Sequence, residues 1–185
     1  LCAVAGIPAF AKDANGMAPL HLAALCGSSV SALKLVSAKA DLEDQFESNT
    51  ALGLAMDKYP EMAVLLMQRS ANTTTLCNLQ KRPSASALCL GTPETIFSLA
   101  VRQMAYMAQK GDSGLSAAYF GAAIAALDCG FPKQQALCDV IASKQFIMLL
   151  TLISKVSDED LRAHRLLHRL AATTDGQGTA TKAAR

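Results

Sequence analysis

Residues 16–27 read Gly-Met-Ala-Pro-Leu-His-Leu-Ala-Ala-Leu-Cys-Gly, and this stretch decides the fold class. Pro19 predicts the start of a helix, because the N–H that proline lacks would have no partner at the first helical position. Leu20 and the alanines three and four positions after it predict one apolar helical face. Gly27 can end this helix in a left-handed conformation. The stretch therefore predicts a short helix with one buried side.

The same pattern returns at residues 50–56, which read Thr-Ala-Leu-Gly-Leu-Ala-Met, 32 residues after the first copy. A second helix is predicted after each copy, over residues 30–36 and residues 60–67. Between the copies, residues 42–49 are acidic and contain one aromatic side chain. Their candidate partner-binding residues are Glu43, Asp44, Phe46 and Glu47.

Residues 18–24 resemble the T-P-L-H-x-A signature of the ankyrin-repeat family, with Ala18 in the threonine position. The 32-residue spacing is close to the family's period of about 33 residues. The resemblance is clear for residues 13–72 and degenerate for residues 84–172. It implies that residues 42–49 form a projecting hairpin and that His21 orders its turn by hydrogen bonding to the backbone. The residues that carry the signature are Pro19, Leu20, His21, Ala23, Ala24 and Gly27.

Three positions depart from the family's pattern in the second copy and in the closing turns. Lys39 and Ser70 replace the glycine of the closing G-A-D/N turn, so a change in that turn is expected. Gly53 replaces the histidine, and a looser turn is expected there.

The rest of the chain predicts further helices with a weaker signature. Residues 86–91 resemble a worn third copy, and Thr92 with Pro93 predicts the start of a helix that ends at Gly111. Residues 125–130 echo the first copy. A last helix pair is predicted over 146–153 and 157–172, followed by a flexible polar tail at 173–185.

These elements predict an all-α fold, an ankyrin-like helical-repeat solenoid of about four to five helix pairs. Residues 1–72 would hold two recognisable repeats. Residues 73–172 would hold a degenerate ankyrin-like extension, or a generic helical repeat or bundle.

Composition narrows the class of protein. Apolar residues make up 51% and aromatic residues 5% of the chain, which favours helices packed through alanine and leucine. The net charge of +2 does not indicate a specific nucleic-acid partner. No apolar stretch reaches the ~20 residues that a membrane span needs. The start at Leu1 indicates a fragment or a processed form. The six cysteines, none spaced C-x-x-C, predict reduced thiols and an intracellular, reducing compartment, either cytoplasm or an organelle. They are Cys2, Cys26, Cys77, Cys89, Cys129 and Cys138.

No motif carries a convincing catalytic signal. Residues 111–114, Gly-Asp-Ser-Gly, resemble the segment around a trypsin-like serine nucleophile, but they are also typical of a loop between helices. Asp160, His164 and His168 share a helical face without an evident fourth ligand, so a solvated face is predicted. We therefore expect no enzyme activity, no cofactor, no metal site and no small-molecule substrate.

The sequence predicts a non-catalytic protein–protein interaction scaffold, a structural subunit of a larger multiprotein complex. The alternative is a regulatory ankyrin segment of a larger enzyme or channel. Its expected partners are other protein subunits, and peripheral association with a membrane complex is compatible with the sequence. A second candidate contact is a basic stripe on the last helix, formed by Arg162, Arg165 and Arg169.

Overall fold

The computed structural model describes residues 11–78 and 94–142, together with residues 145, 148, 151, 152 and 154. The chain divides into two compact units, Leu1–Pro132 and Lys133–Arg185. The first contains α1 (Pro19–Leu25), α2 (Ser29–Ser37), β1 (Gln45–Phe46), β2 (Asn49–Thr50), α3 (Ala51–Lys58), α4 (Pro60–Gln68), α5 (Ile96–Lys110) and α6 (Ser113–Asp128), and the second contains α7 (Lys133–Ala142). The described residues are therefore mostly helical, as predicted, with one two-stranded sheet.

Helices of the first unit pack in sequential pairs. Helix α1 packs on α2, α3 packs on α4, and α5 packs on α6. The first helices of these pairs also contact one another in the order α1, α3, α5, and α4 contacts α6. The pairs are therefore layered against each other.

Helix α3 lies at the centre of this arrangement. Its residues 51–56 are buried at every position, because α1, α4 and α5 each cover part of its surface. A polar link joins α3 to the last pair: Gln103 Nε2 donates to Asp57 Oδ1 at 3.2 Å, and the Tyr119 hydroxyl donates to the Asp57 carbonyl oxygen at 2.9 Å. Aromatic stacking of Phe97 on Phe131, with ring centroids 5.2 Å apart, closes the end of this core.

The first helices of the three pairs begin with the same backbone geometry. Their N-cap residues Ala18, Thr50 and Thr95 have φ between −81° and −74° and ψ between 155° and 164°. Thr95 accepts a hydrogen bond from the Ser98 N–H at 3.1 Å. The prediction that Thr92 and Pro93 start this helix is wrong, because Thr95 supplies the cap and Ile96 is the first helical residue.

Helix α5 otherwise agrees with the sequence. It ends at Lys110, followed by Gly111 at φ 80°. It buries Ile96, Leu99, Ala100 and Gln103, and Met107 is half-buried. The Asp112 carboxylate caps α6 by accepting from the Leu115 N–H at 2.9 Å. Gly111 and Asp112 of the Gly-Asp-Ser-Gly motif therefore form the turn between two helices, and Ser113 and Gly114 begin α6.

Left-handed residues end several helices, and two of them are not glycine. Gly27 has φ 66°, and a Cβ there would lie 2.7 Å from the Tyr59 ring, so the position admits glycine alone. Lys39 and Ser70 adopt the same conformation with φ 65° and 69°. A change in this turn was expected because glycine is missing at both positions. The tight turn is formed at both, at a conformational cost of about 1 kcal/mol each.

Several predicted elements lie outside the described residues. They include the worn copy at 86–91 and most of the last helix pair, of which the helical residues Met148, Thr151, Leu152 and Ser154 are described. The repeat boundaries at 72 and 172 remain predictions.

Replacing a strained residue by glycine should stabilise the first unit. We expect Lys39→Gly and Ser70→Gly each to raise the free energy of unfolding by about 0.5 kcal/mol. Glycine removes about 1 kcal/mol of strain in the left-handed conformation, and the added freedom of the unfolded chain offsets roughly half of it. Urea denaturation followed by circular dichroism measures the change.

Ala38→Gly is the matched control, since Ala38 precedes Lys39 and has φ −83°. It should lower the stability by about 0.5 kcal/mol through the entropy of the unfolded chain. Equal losses in Ala38→Gly and Lys39→Gly would contradict the strain.

Candidate functional site

The acidic segment forms a hairpin, as the family resemblance implies. Gln45 pairs with Thr50 and Phe46 with Asn49 in an antiparallel register. The two residues of the tip, Glu47 and Ser48, have φ 50° and 65°, the positive values that a type I′ turn needs at both central positions. Both tip residues are exposed. We call residues 42–50 the hairpin segment.

A buried asparagine anchors the base of the hairpin segment. The Asn49 side chain is fully buried, and its Nδ2 donates to the carbonyl oxygens of Glu47 at 3.0 Å and Asn78 at 2.9 Å. Its Oδ1 accepts from the Asn78 N–H at 2.8 Å. One amide therefore holds both the tip of the hairpin and the segment that follows α4. Sequence reasoning missed this residue, since Asn78 lies 29 positions away.

His21 anchors the other side of the hairpin segment. Its Nδ1 accepts from the Ala18 N–H at 3.2 Å, so Nε2 carries the proton and donates to the Asp44 carbonyl oxygen at 3.0 Å. The Phe46 ring lies 6.0 Å from the imidazole, centroid to centroid. His21 thus makes the backbone hydrogen bonds that the sequence predicts, and it ties α1 to the hairpin.

The three carboxylates of the hairpin segment have different surroundings. Glu43 accepts from the Asn72 N–H at 2.7 Å and from the Thr75 hydroxyl at 3.4 Å, so it orders the segment after α4. Asp44 pairs with Lys12 at 2.5 Å. Glu47 projects from the tip. The acidic residues predicted to bind a partner lie together in the hairpin segment. Two of them, Glu43 and Asp44, also hold neighbouring segments in place.

The residues of the predicted basic stripe, and those for which a solvated face is predicted, lie outside the described part of the chain. They are Arg162, Arg165 and Arg169 of the basic stripe, with Asp160, His164 and His168.

A looser turn was expected where Gly53 replaces the histidine. Gly53 is instead closely packed. A Cβ at Gly53 would lie 2.2 Å from Cys77 Sγ, so the thiol occupies the space that a side chain at position 53 would need. Cys77 also bridges to Glu94 through two backbone hydrogen bonds of 2.8 and 2.9 Å. Burial raises the pKa of the Cys77 thiol to about 12, and the charges of Glu43 and Glu94 add to the effect.

A polar groove lies between the ends of α4 and α6. Its volume is about 430 Å³, and no acid, base and nucleophile converge on it. Its lining residues are Met67, Gln68, Ser70, Ala71, Asn72, Thr73, Thr74, Cys129 and Gly130.

Comparison with known proteins gives no match to a protein family, a curated protein or a solved structure. Within the described residues, every helix is too short or too polar to cross a membrane. The same residues contain no group of three or more histidine, cysteine or acidic side chains placed to hold a metal ion.

The Asn49 anchor predicts a large effect from a small change. In Asn49→Asp, a carboxylate oxygen replaces the Nδ2 donor and faces two carbonyl oxygens in a buried site. We expect the free energy of unfolding to fall by about 3 kcal/mol, measured by urea denaturation.

Gln45→Glu makes the same amide-to-acid change at an exposed position of the same hairpin. It should change stability by less than about 0.5 kcal/mol. An Asn49→Asp protein as stable as Gln45→Glu would show that the amide does not anchor the hairpin.

Burial of Cys77 predicts selective thiol chemistry. At about pH 8, iodoacetamide should alkylate the exposed Cys26 and Cys129 of the native protein and leave Cys77 intact. Because burial raises the pKa of Cys77, the buried neutral thiol contributes fully to stability below pH 9.0. This contribution is lost as the pH rises toward about 12. Peptide mass spectrometry measures the modification.

The same reaction in denaturing urea is the control, and Cys77 should then react like the other thiols. Alkylation of native Cys77 at the rate of Cys26 would contradict its burial.

Proposed function

We propose that this protein is a non-catalytic interaction scaffold, a subunit that binds another protein through the hairpin segment and the residues beside it. The proposed architecture is an ankyrin-like helical-repeat solenoid. Both proposals rest on the first unit, where the hairpin and the helix pairs are described.

The layered helix pairs support the repeat architecture. Contacts among α1, α3 and α5 place the first helices of successive pairs side by side. The common geometry of the N-caps at Ala18, Thr50 and Thr95 agrees with one repeated unit. On this basis Thr95, and not a residue of the 86–91 stretch, caps the first helix of a third unit.

The observation that carries the binding proposal is the contrast between the base and the tip of the hairpin. His21 and Asn49 hold the base through hydrogen bonds of buried side chains, while Glu47 and Ser48 stay exposed. A tip that is already ordered loses little conformational entropy when it binds a partner. Leu76 lies two residues before Asn78 in the segment that Asn49 anchors, is 54% exposed and offers an apolar contact.

Free thiols support an intracellular, reducing setting. Among the described residues, Cys26, Cys77, Cys129 and Cys138 are all unpaired with one another. Reduced cysteines persist in such compartments.

The test is affinity isolation with the full chain, its Glu47→Lys/Leu76→Ser variant and a matched control. We expect the wild-type chain to retain one protein partner, and the tip variant to retain about tenfold less, because the charge and the apolar contact are lost. Quantitative mass spectrometry measures the recovery.

Glu61→Lys is the control, since it reverses an exposed charge on α4, which is not part of the hairpin segment. It should retain the partner fully. Equal loss in both variants, or no partner that depends on the tip, would refute the proposal.

A further inference from the structure

The groove between the ends of α4 and α6 has no charged side chain among its described lining residues. Two helix C-termini meet there, since α4 ends at Gln68 and α6 ends at Asp128. The last carbonyl groups of a helix form the negative end of its dipole, which favours a cation nearby. The groove therefore suits a positively charged ligand, and no lysine or arginine among its described lining residues competes for it.

The backbone donors around the groove are already used. Six N–H groups of its lining residues donate hydrogen bonds of 2.7 to 3.2 Å within the protein. They belong to Ser70, Ala71, Asn72, Thr74, Cys129 and Gly130. The groups that remain for a ligand are mainly acceptors, namely carbonyl, amide and hydroxyl oxygens.

Thr73 supplies an acceptor that the folded chain leaves unused. It lines the groove and is only 4% exposed, and within the described residues its hydroxyl makes no hydrogen bond. The next two hydroxyls are paired: Thr74 donates to Asn72 Oδ1 at 2.7 Å, and Thr75 donates to Glu43 Oε2 at 3.4 Å. A nearly buried hydroxyl without a partner costs free energy, which a donor from a ligand would recover.

The groove lies beside the hairpin segment. Glu43 of that segment accepts from the N–H of Asn72, a lining residue, at 2.7 Å. Its carboxylate adds negative charge next to the groove. Leu76, which belongs to the proposed contact, follows two residues after the lining residue Thr74. A partner that binds the hairpin segment would therefore have the groove within its reach.

We propose that this groove binds an arginine side chain of the protein partner. A guanidinium group has five N–H donors and no acceptor, which matches a site whose free groups are mainly acceptors. It is also more weakly hydrated than an ammonium group, so it enters a partly buried site more readily than lysine. The volume of about 430 Å³ leaves room for the side chain and its neighbours. This inference rests on the proposed function, because it assigns a contact to the same partner.

The experiment titrates the full chain with N-acetyl-arginine amide and follows the backbone amides by nuclear magnetic resonance. N-acetyl-citrulline amide is the matched probe, since it has nearly the same shape without the charge. We expect the arginine probe to shift the amide signals of Ser70, Thr73 and Gly130 and to bind about tenfold more tightly than citrulline. N-acetyl-lysine amide should bind more weakly than the arginine probe.

Thr73→Val tests the unused hydroxyl, because valine keeps the shape of the side chain and removes the acceptor. We expect the variant to be at least as stable as the wild-type chain in urea and to bind the arginine probe about threefold more weakly. Thr75→Val is the matched control, since the Thr75 hydroxyl already bonds to Glu43. It should leave the affinity for the probe unchanged.

No binding of the arginine probe, or equal binding of the arginine and citrulline probes, overturns the proposal. Equal binding of the lysine probe overturns the assignment to arginine. Equal weakening in Thr73→Val and Thr75→Val shows that Thr73 is not the acceptor. A tip-dependent partner recovered by a chain that does not bind the probe refutes the groove alone. Probe binding without any tip-dependent partner refutes the proposed function, and with it the partner as the source of the arginine.

Discussion

The first four helices are too short to be stable alone, and this constraint shapes the whole first unit. They have seven to nine residues, whereas isolated helices below about 12–15 residues are marginal in water. Each helix therefore depends on its neighbours, and α3 depends on three of them. Its residues 51–56 are buried on all sides, so removing α1, α4 or α5 would expose apolar surface at the centre. Stability is thus a property of the layered pairs and not of any single helix.

The turns and the hairpin that connect the helices determine the fold as much as the helices do. Lys39 and Ser70 keep the left-handed conformation without being glycine, which indicates that packing on both sides of the turn outweighs the local strain. The hairpin has only two strands, and the side chains of His21 and Asn49 hold it through hydrogen bonds to backbone atoms. The result is an ordered projection held by buried groups, with its charged tip in solvent. This combination supports the proposed binding of another protein, because a tip that is ordered in the folded chain loses little conformational entropy on binding.

Much of the fold was predictable, because it follows from local signals. Pro19, Gly27 and the apolar spacing predicted α1, and the repeated pattern predicted α3. The family resemblance implied the hairpin between them. The error at Thr92 has a local cause as well: two threonines, three positions apart, both suit an N-cap. Of the two, Thr95 is the residue whose side chain accepts a hydrogen bond from the Ser98 N–H at the start of α5. The charge of the site was predictable, and the family resemblance implied the backbone hydrogen bonds of His21, but the anchoring by Asn49 and Glu43 was not predictable. Glu43 carries no signal for its bond to Asn72, which lies 29 residues further along the chain.

By itself, the sequence determined the helical class and the pairing of short helices, because periodicity, proline, glycine and caps act within a few residues. The position of the hairpin followed from the family resemblance. Tertiary structure alone decided which polar groups are buried and what meets them. Cys77 fills the space beside Gly53, and Asn78 meets Asn49, since folding brings together atoms separated by 24 and 29 positions. Hydrogen bonds and close packing depend on distances in space, and no local pattern encodes those distances.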